Sequence, residues 1–167
     1  MQEIKSFFLC DFAPLRCRIP DFTQHEFIIH IIMPISSIYA KTISIPQSAI
    51  DENGHVNNVT YVQWMQDIAA EHYESIGGTN PMQLVGATWV VREHKIEYLL
   101  PAFAGDEIEI RTWVENIRRV RSLRKYEFIR KADGKILVKG ETDWVFVDVK
   151  TGSPRAVPEQ VTKVFSP

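Results

Sequence analysis

Only one stretch of this 167-residue chain holds a long helical period, and everything after it reads as strand. From Val59 onward, Val62, Met65, Ile68, Ala69, Tyr73 and Ile76, with His72 among them, recur every three or four residues. Asn57 or Asn58 can cap the start, where the first amide N–H groups have no partner within a helix. Gly77-Gly78 can supply a left-handed stop. The spacing predicts a helix over about residues 58–76. Its apolar stripe must be buried, and the chain offers mainly strands to cover it.

Tyr39 to Pro46 predicts a first strand, closed by its proline, and residues 47–56 have no period and read as a loop. Gly86 to Leu100 carries apolar side chains at Ala87, Trp89 and Val91, then at Ile96, Tyr98 and Leu100. That switch from odd to even positions predicts a bulge. Glu107 to Asn116 alternates through Ile108, Ile110, Thr112 and Val114. Ser122 to Lys131 and Lys135 to Val149 flank Asp133-Gly134, a hairpin turn signal. In the last segment Trp144 and Phe146 lie on one face and Val145, Val147 and Val149 on the other, which predicts a strand covered on both sides. The order predicts an α+β fold: one long helix wrapped by a five-stranded antiparallel sheet, its last four strands running as a meander. No phosphate-binding glycine motif or internal repeat is present.

Composition fits this picture, with 45% hydrophobic and 24% charged residues. Pro14, Pro20 and Pro34 interrupt the beginning, so residues 1–34 read as an N-terminal extension and 35–167 as the folded domain. Nineteen basic against twenty-one acidic side chains leave a net charge of −2. That balance supplies no overall attraction to nucleic acid or a membrane surface. The apolar run from Phe27 to Ile35 is broken by His30 and Pro34 and is far short of a membrane span. Cys10 and Cys17 lack zinc-site spacing and read as free thiols of a reducing compartment. With no export signal in view, the expectation is a cytoplasmic protein.

Chemistry concentrates just ahead of the helix, in Asp51-Glu52-Asn53-Gly54-His55-Val56-Asn57-Asn58. A helix start concentrates partial positive charge and free N–H groups, so it can stabilise an oxyanion. The N–H groups of Asn57, Asn58 and Val59 are candidates for that role. Asp51 could attack a carbonyl or deprotonate a water, and His55 could orient either partner. The same residues are also ordinary turn formers, and spacing alone leaves both readings open. Tyr61 and Trp64 read as packing residues and His72 as a partly buried histidine. Asp67 and Glu71 read as a solvated helix face, though an acid projecting from such a helix can also serve as a catalytic base. Arg118, Arg119, Arg121, Arg124 and Lys125 surround a predicted turn. They could bind phosphates, or they could form a soluble hairpin that resists edge pairing.

The segment from Asp51 to Tyr61, followed by Trp64, resembles the 4-hydroxybenzoyl-CoA thioesterase-like branch of the hotdog-fold superfamily. Supporting matches are Glu97-Tyr98, Gly105-Asp106, Arg121-Ser122, and Asp148 with Gly152 and Pro154; the likeness covers about residues 38–160. It implies a hotdog fold and hydrolysis of an acyl-CoA or acyl-carrier-protein thioester without metal or redox cofactor. It implies Asp51 as nucleophile or general base, Asn53 and His55 as its helpers, and the Asn58 N–H at the thioester carbonyl. Tyr61, Arg118, Arg119 and Arg121 are the expected substrate-binding residues. Family members are commonly homodimers or homotetramers with the site between subunits. The plant acyl-carrier-protein thioesterases of this branch carry polar residues just past the Glu-Tyr pair, whereas this chain has Leu99-Leu100-Pro101-Ala102. A non-catalytic acyl-binding module of the same fold is the competing expectation; a hydratase or dehydratase would need acid–base groups not seen here.

Overall fold

The computed structural model describes residues 37–165. The extension over 1–34 and both cysteines lie outside the described residues. The elements are β1 (Tyr39–Ser44), a turn of 3-10 helix (Gln47–Ala49), α1 (Asn58–Ser75), α2 (Thr79–Leu84), β2 (Ala87–Tyr98), β3 (Glu107–Arg118), β4 (Arg121–Arg130), β5 (Ile136–Asp148) and α3 (Glu159–Thr162). All five strands join one antiparallel sheet in the order β1-β3-β4-β5-β2.

The helix is set as its period predicts. Tyr61, Met65, Ile68, Ala69 and His72 are its buried residues. They pack with Ile108 and Ile110 of β3, Tyr126 and Phe128 of β4, and Leu137 and Val138 of β5. Alternation along β3 and β4 puts every second side chain under the helix, as a pleated strand requires. Gly140 of β5 lets the helix approach closely, because a Cβ there would lie 2.8 Å from Met65 Sδ.

The expected meander is only partly present. β3, β4 and β5 are consecutive neighbours, but β2 pairs with β5 at the far edge instead of with β3. The connection over 99–106 explains this. Eight extended residues span roughly 26 Å, and three inter-strand spacings are only about 14 Å. That connection is also tied to the other side of the fold, since Gly105 N–H donates to Ile45 O at 2.9 Å and Val56 N–H to Ala102 O at 2.9 Å.

A register shift between Val91 and Glu93 supplies the predicted bulge in β2. At the end of α1, Gly77 takes the left-handed conformation with φ 73°, while Gly78 precedes the short α2. That second helix escapes a sequence reading because Pro81 resembles a breaker, yet proline is tolerated in a helix's first turn. The tail also carries structure. Val161 and Phe165 are buried, and the Phe165 ring stacks on Tyr73 with centroids 5.6 Å apart. Among the described residues no helix is long and apolar enough to cross a membrane.

Candidate active site

The loop ahead of α1 is held by its own backbone. Asp51 N–H donates to His55 O at 3.0 Å, and Gly54 N–H donates to Asp51 O at 3.0 Å. Gly54 sits at φ 80°, where a side chain would be strained. Asn57 N–H reaches back to Ala49 O at 2.9 Å, and with the Val56–Ala102 bond this fixes the loop from two sides.

Those contacts narrow the set of free donors at the helix start. Asn57 N–H is used by Ala49, and Val59 N–H donates to Asn57 Oδ1 at 2.9 Å, which makes Asn57 the N-cap. Asn58 N–H has no protein acceptor among the described residues. Of the three candidate oxyanion donors, one is available. It lies at the positive end of an 18-residue helix.

Asp51 forms the turn its residue type favours and lies near His55. Its Oδ1 accepts Asn53 N–H at 2.8 Å, and Asn53 Nδ2 lies 3.5 Å from Oδ2, the geometry of a turn-forming aspartate. His55 Nδ1 is 3.8 Å from the same Oδ1, an ion-pair distance too long for a hydrogen bond. His55 Nδ1 also lies 3.4 Å from Val56 O. A carboxylate has about four acceptor directions, so holding the turn leaves capacity for a water or substrate.

A cavity of about 220 Å³ opens beside the helix start. His55, Asn58, Tyr61 and Tyr98 line its polar side, and residues 99–102 form an apolar wall. The leucines that depart from the plant pattern thus face the same space as the histidine. Asp51 and Asn53 are not part of the lining. Tyr98 Oη donates to Asn58 O at 3.3 Å, which ties β2 to the first turn of the helix. Burial, then the neighbouring Tyr98, pushes the Tyr61 phenol up to about 12, and burial raises Tyr98 as well. Both phenols stay protonated at neutral pH and can donate.

The basic cluster does not act as one patch. Arg124 is buried under the helix, and Lys125 lies near Glu115 and Glu141. Arg121 pairs with Asp143, which also takes Arg92 at 3.1 Å. Arg118 and Arg119 are exposed and have no ion-pair partner among the described residues. These arginines sit at the β3–β4 hairpin, while the opening of β3 adjoins Ile45 and the motif loop. Eleven residue steps of strand, roughly 36 Å, separate the two ends. Within one chain the hairpin arginines and the Asp51 loop are not brought together.

Other helix acids follow the solvated reading: Glu71 pairs with Lys41 at 2.5 Å, and Asp67 accepts from Gln63 at 2.8 Å. His72 differs from expectation by being fully buried. It stacks on Tyr39 at 5.3 Å, and its Nδ1 lies 2.8 Å from Arg124 Nη1. Burial and then the adjacent guanidinium lower its pKa to about 4. It is therefore neutral at pH 7, accepts the Arg124 N–H at Nδ1, and keeps its own proton on Nε2, which has no partner. The inward position of Arg124 was readable from the alternation Ser122, Arg124, Tyr126, Phe128, but the surrounding cations masked it. No cluster able to hold a metal ion occurs among the described residues.

Known proteins group with this chain on both sequence and shape. The model of the thioesterase-like superfamily matches residues 45–165. The chain is 22% identical over 170 residues to the chloroplastic palmitoyl-acyl carrier protein thioesterase of Cuphea hookeriana, covering 98% of this chain and 40% of that protein. It thus spans about two-fifths of the length of the curated relatives it matches. Among solved structures, Slr0204, a 1,4-dihydroxy-2-naphthoyl-CoA thioesterase from Synechocystis, superposes with a TM-score of 0.69 at 14% identity. That match covers 77% of this chain and 96% of the other. The 12:0-ACP thioesterase from Umbellularia californica gives 0.70 at 19% identity, covering 75% of this chain and 48% of that one. The shared architecture is the hotdog fold.

Proposed function

The chain belongs to the thioesterase-like superfamily, and from that premise we propose that it hydrolyses an acyl thioester, acyl-CoA in preference to acyl carrier protein, to free acid and thiol. One observation carries the reading: the unpaired N–H at the start of α1 belongs to Asn58, which lines the same cavity as His55, and Asp51 lies 3.8 Å from His55. An oxyanion donor and an imidazole on a partly apolar cavity, with a carboxylate beside the imidazole, are the groups thioester cleavage requires.

In the general-base route Asp51 removes a proton from water as the water oxygen bonds to the carbonyl carbon. The carbonyl oxygen gains the negative charge and accepts the Asn58 N–H. When the C–S bond breaks, the departing thiolate recovers the proton that Asp51 holds. In the nucleophilic route an Asp51 oxygen bonds to the carbonyl carbon and the C–S bond breaks, expelling the thiolate. Water then cleaves the resulting anhydride, which returns the Asp51 carboxylate and frees the acid. The proton given up in that hydrolysis balances the one the thiolate takes from solvent. Asn53 holds the carboxylate in place, His55 orients water or carbonyl, and Tyr61 shapes the pocket. No metal or redox cofactor enters either route.

Arg118 and Arg119 would serve the phosphates of the thiol carrier from a second subunit, because one chain keeps them far from Asp51. A homodimer or homotetramer is part of this proposal. The position of Asp51 outside the cavity lining favours a second reading, an acyl-binding module without turnover. A panel of aliphatic and aromatic acyl-CoAs assayed for free-thiol release separates the two. Turnover of at least one member is expected, and saturable binding across the panel with no release would overturn the enzymatic reading.

A further inference from the structure

A second cavity, of about 210 Å³, lies under the other half of α1. Ala69, Ala70 and Tyr73 of the helix meet Trp89 of β2, Arg124 of β4 and Trp144 of β5 around it. Arg124 is only 4% exposed, yet it pairs with no carboxylate among the described residues. Its Nη1 supplies both of its protein contacts, to His72 Nδ1 at 2.8 Å and to Thr112 Oγ1 at 3.2 Å. Nε and Nη2 make no hydrogen bond with the described residues. A guanidinium has five donors and cannot shed its charge, and a buried charge without a counterion is costly. His72 provides no compensating charge, since an imidazole is either neutral or positive.

The rest of the cavity is mostly apolar and aromatic, with Gln66, Thr88 and Ser122 as its neutral polar groups. The Trp89 indole N–H is turned toward the Tyr73 hydroxyl and that of Trp144 toward the Tyr126 hydroxyl, so these polar atoms are buried against one another and the two indoles present carbon faces to the cavity. No acidic residue is part of the lining. A single buried cation without a counter-charge, set among aromatic walls, calls for a ligand with an apolar body and an anionic oxygen. An apolar cavity of about 150 Å³ holds benzene, so this one has room for a ring or a medium chain.

We propose that this cavity is a binding site for an apolar monocarboxylate, from benzoate to octanoate in size, with its carboxylate on Arg124. The site stands on the cavity's own residues and does not depend on the catalytic reading of the Asp51 loop. Ala70 is exposed on the helix at the cavity's edge, so the mouth can be blocked without disturbing the buried pair.

Trp89 and Trp144 provide the readout. Octanoate, benzoate, octanol and octylamine are titrated into the full chain while tryptophan fluorescence and calorimetric heat are followed. Saturable binding of at least one of the two acids is expected, with octanol at least tenfold weaker than octanoate and octylamine weaker still. Ala70→Phe should remove the response. Arg124→Met, checked for folding by circular dichroism, should weaken octanoate at least tenfold and leave octanol unchanged. If Arg124→Met does not fold, the acid-against-alcohol ratio and Ala70→Phe decide. Equal affinity for octanoate and octanol, acid binding that survives Ala70→Phe, or no saturable acid binding up to millimolar concentration would each overturn the proposal.

Discussion

The two ends of α1 carry cavities of nearly equal size, about 220 and 210 Å³, built on opposite plans. At the start of the helix a compact sequence motif supplies a carboxylate, an imidazole and a free amide, and the polar groups are braced by backbone bonds within one loop. Under its second half no motif exists. Residues drawn from positions 66 to 165 meet there around a buried cation that no described carboxylate pairs. In the proposed function the first cavity stabilises charge that develops, whereas the second holds permanent charge that nothing in the described chain neutralises. Local sequence can specify a reactive loop, whereas a buried polar pocket is specified only by the fold.

The largest expected effect separates the ends by activity. Asp51→Asn should lower thiol release by two to three orders of magnitude, because it removes the base or nucleophile while keeping the acceptor for Asn53 N–H. The fold, followed by circular dichroism, should persist. Parental turnover of a confirmed substrate by this variant would move the chemistry away from the motif loop.

Acid titration addresses the far end. His72 is lowered from 6.5 to about 4 by burial and Arg124, so the unfolded chain binds its proton more readily than the folded one. Its contribution is fully present above about pH 6.5 and is lost as pH falls towards 4, on the order of 2–3 kcal/mol. Urea unfolding from pH 7.5 to 4 should show this slope, and His72→Gln should flatten it. An equal slope in both proteins would place the titration elsewhere.

Between the ends, Gly140→Ala should cost about 1–2 kcal/mol, since its Cβ would press on Met65 Sδ and Cε before the thioether yields. Neutral substitution there, measured by urea unfolding, would show that the helix can lift from the sheet. Asn57→Ala is the smallest of the stability effects. It removes the cap on Val59 N–H at a cost of about 1 kcal/mol and should lower turnover only modestly. A larger loss of activity than of stability would assign the cap a direct part in the site.

Much of this architecture was legible from periodicity. The α1 boundaries, the β2 bulge and the alternation in β3 and β4 follow from side-chain spacing, which reflects one local face being buried. The strand order was not. Nothing in residues 99–106 announces that they cross the sheet, because the bonds that carry them over, to Ile45 and from Val56, join distant segments. For the same reason the motif placed Asp51, Asn53, His55 and Asn58 together, but not which amide of the first turn stays free. That depended on Ala49 accepting from Asn57. Arg124 was hidden among neighbours of like charge, although the alternation Ser122, Arg124, Tyr126, Phe128 already pointed it inward.

If the Asn58 N–H polarises the substrate carbonyl, its removal by Asn58→Pro must slow the chemical step. Proline suits the first helical position, and Asn57 already has the extended conformation, φ −60° and ψ 135°, that a following proline demands. The substitution therefore deletes one N–H while the helix remains. A fall in kcat of about 10²–10³ on a confirmed acyl-CoA is expected, with KM and thermal stability little changed. A folded Asn58→Pro protein that retains the parental kcat would contradict that role.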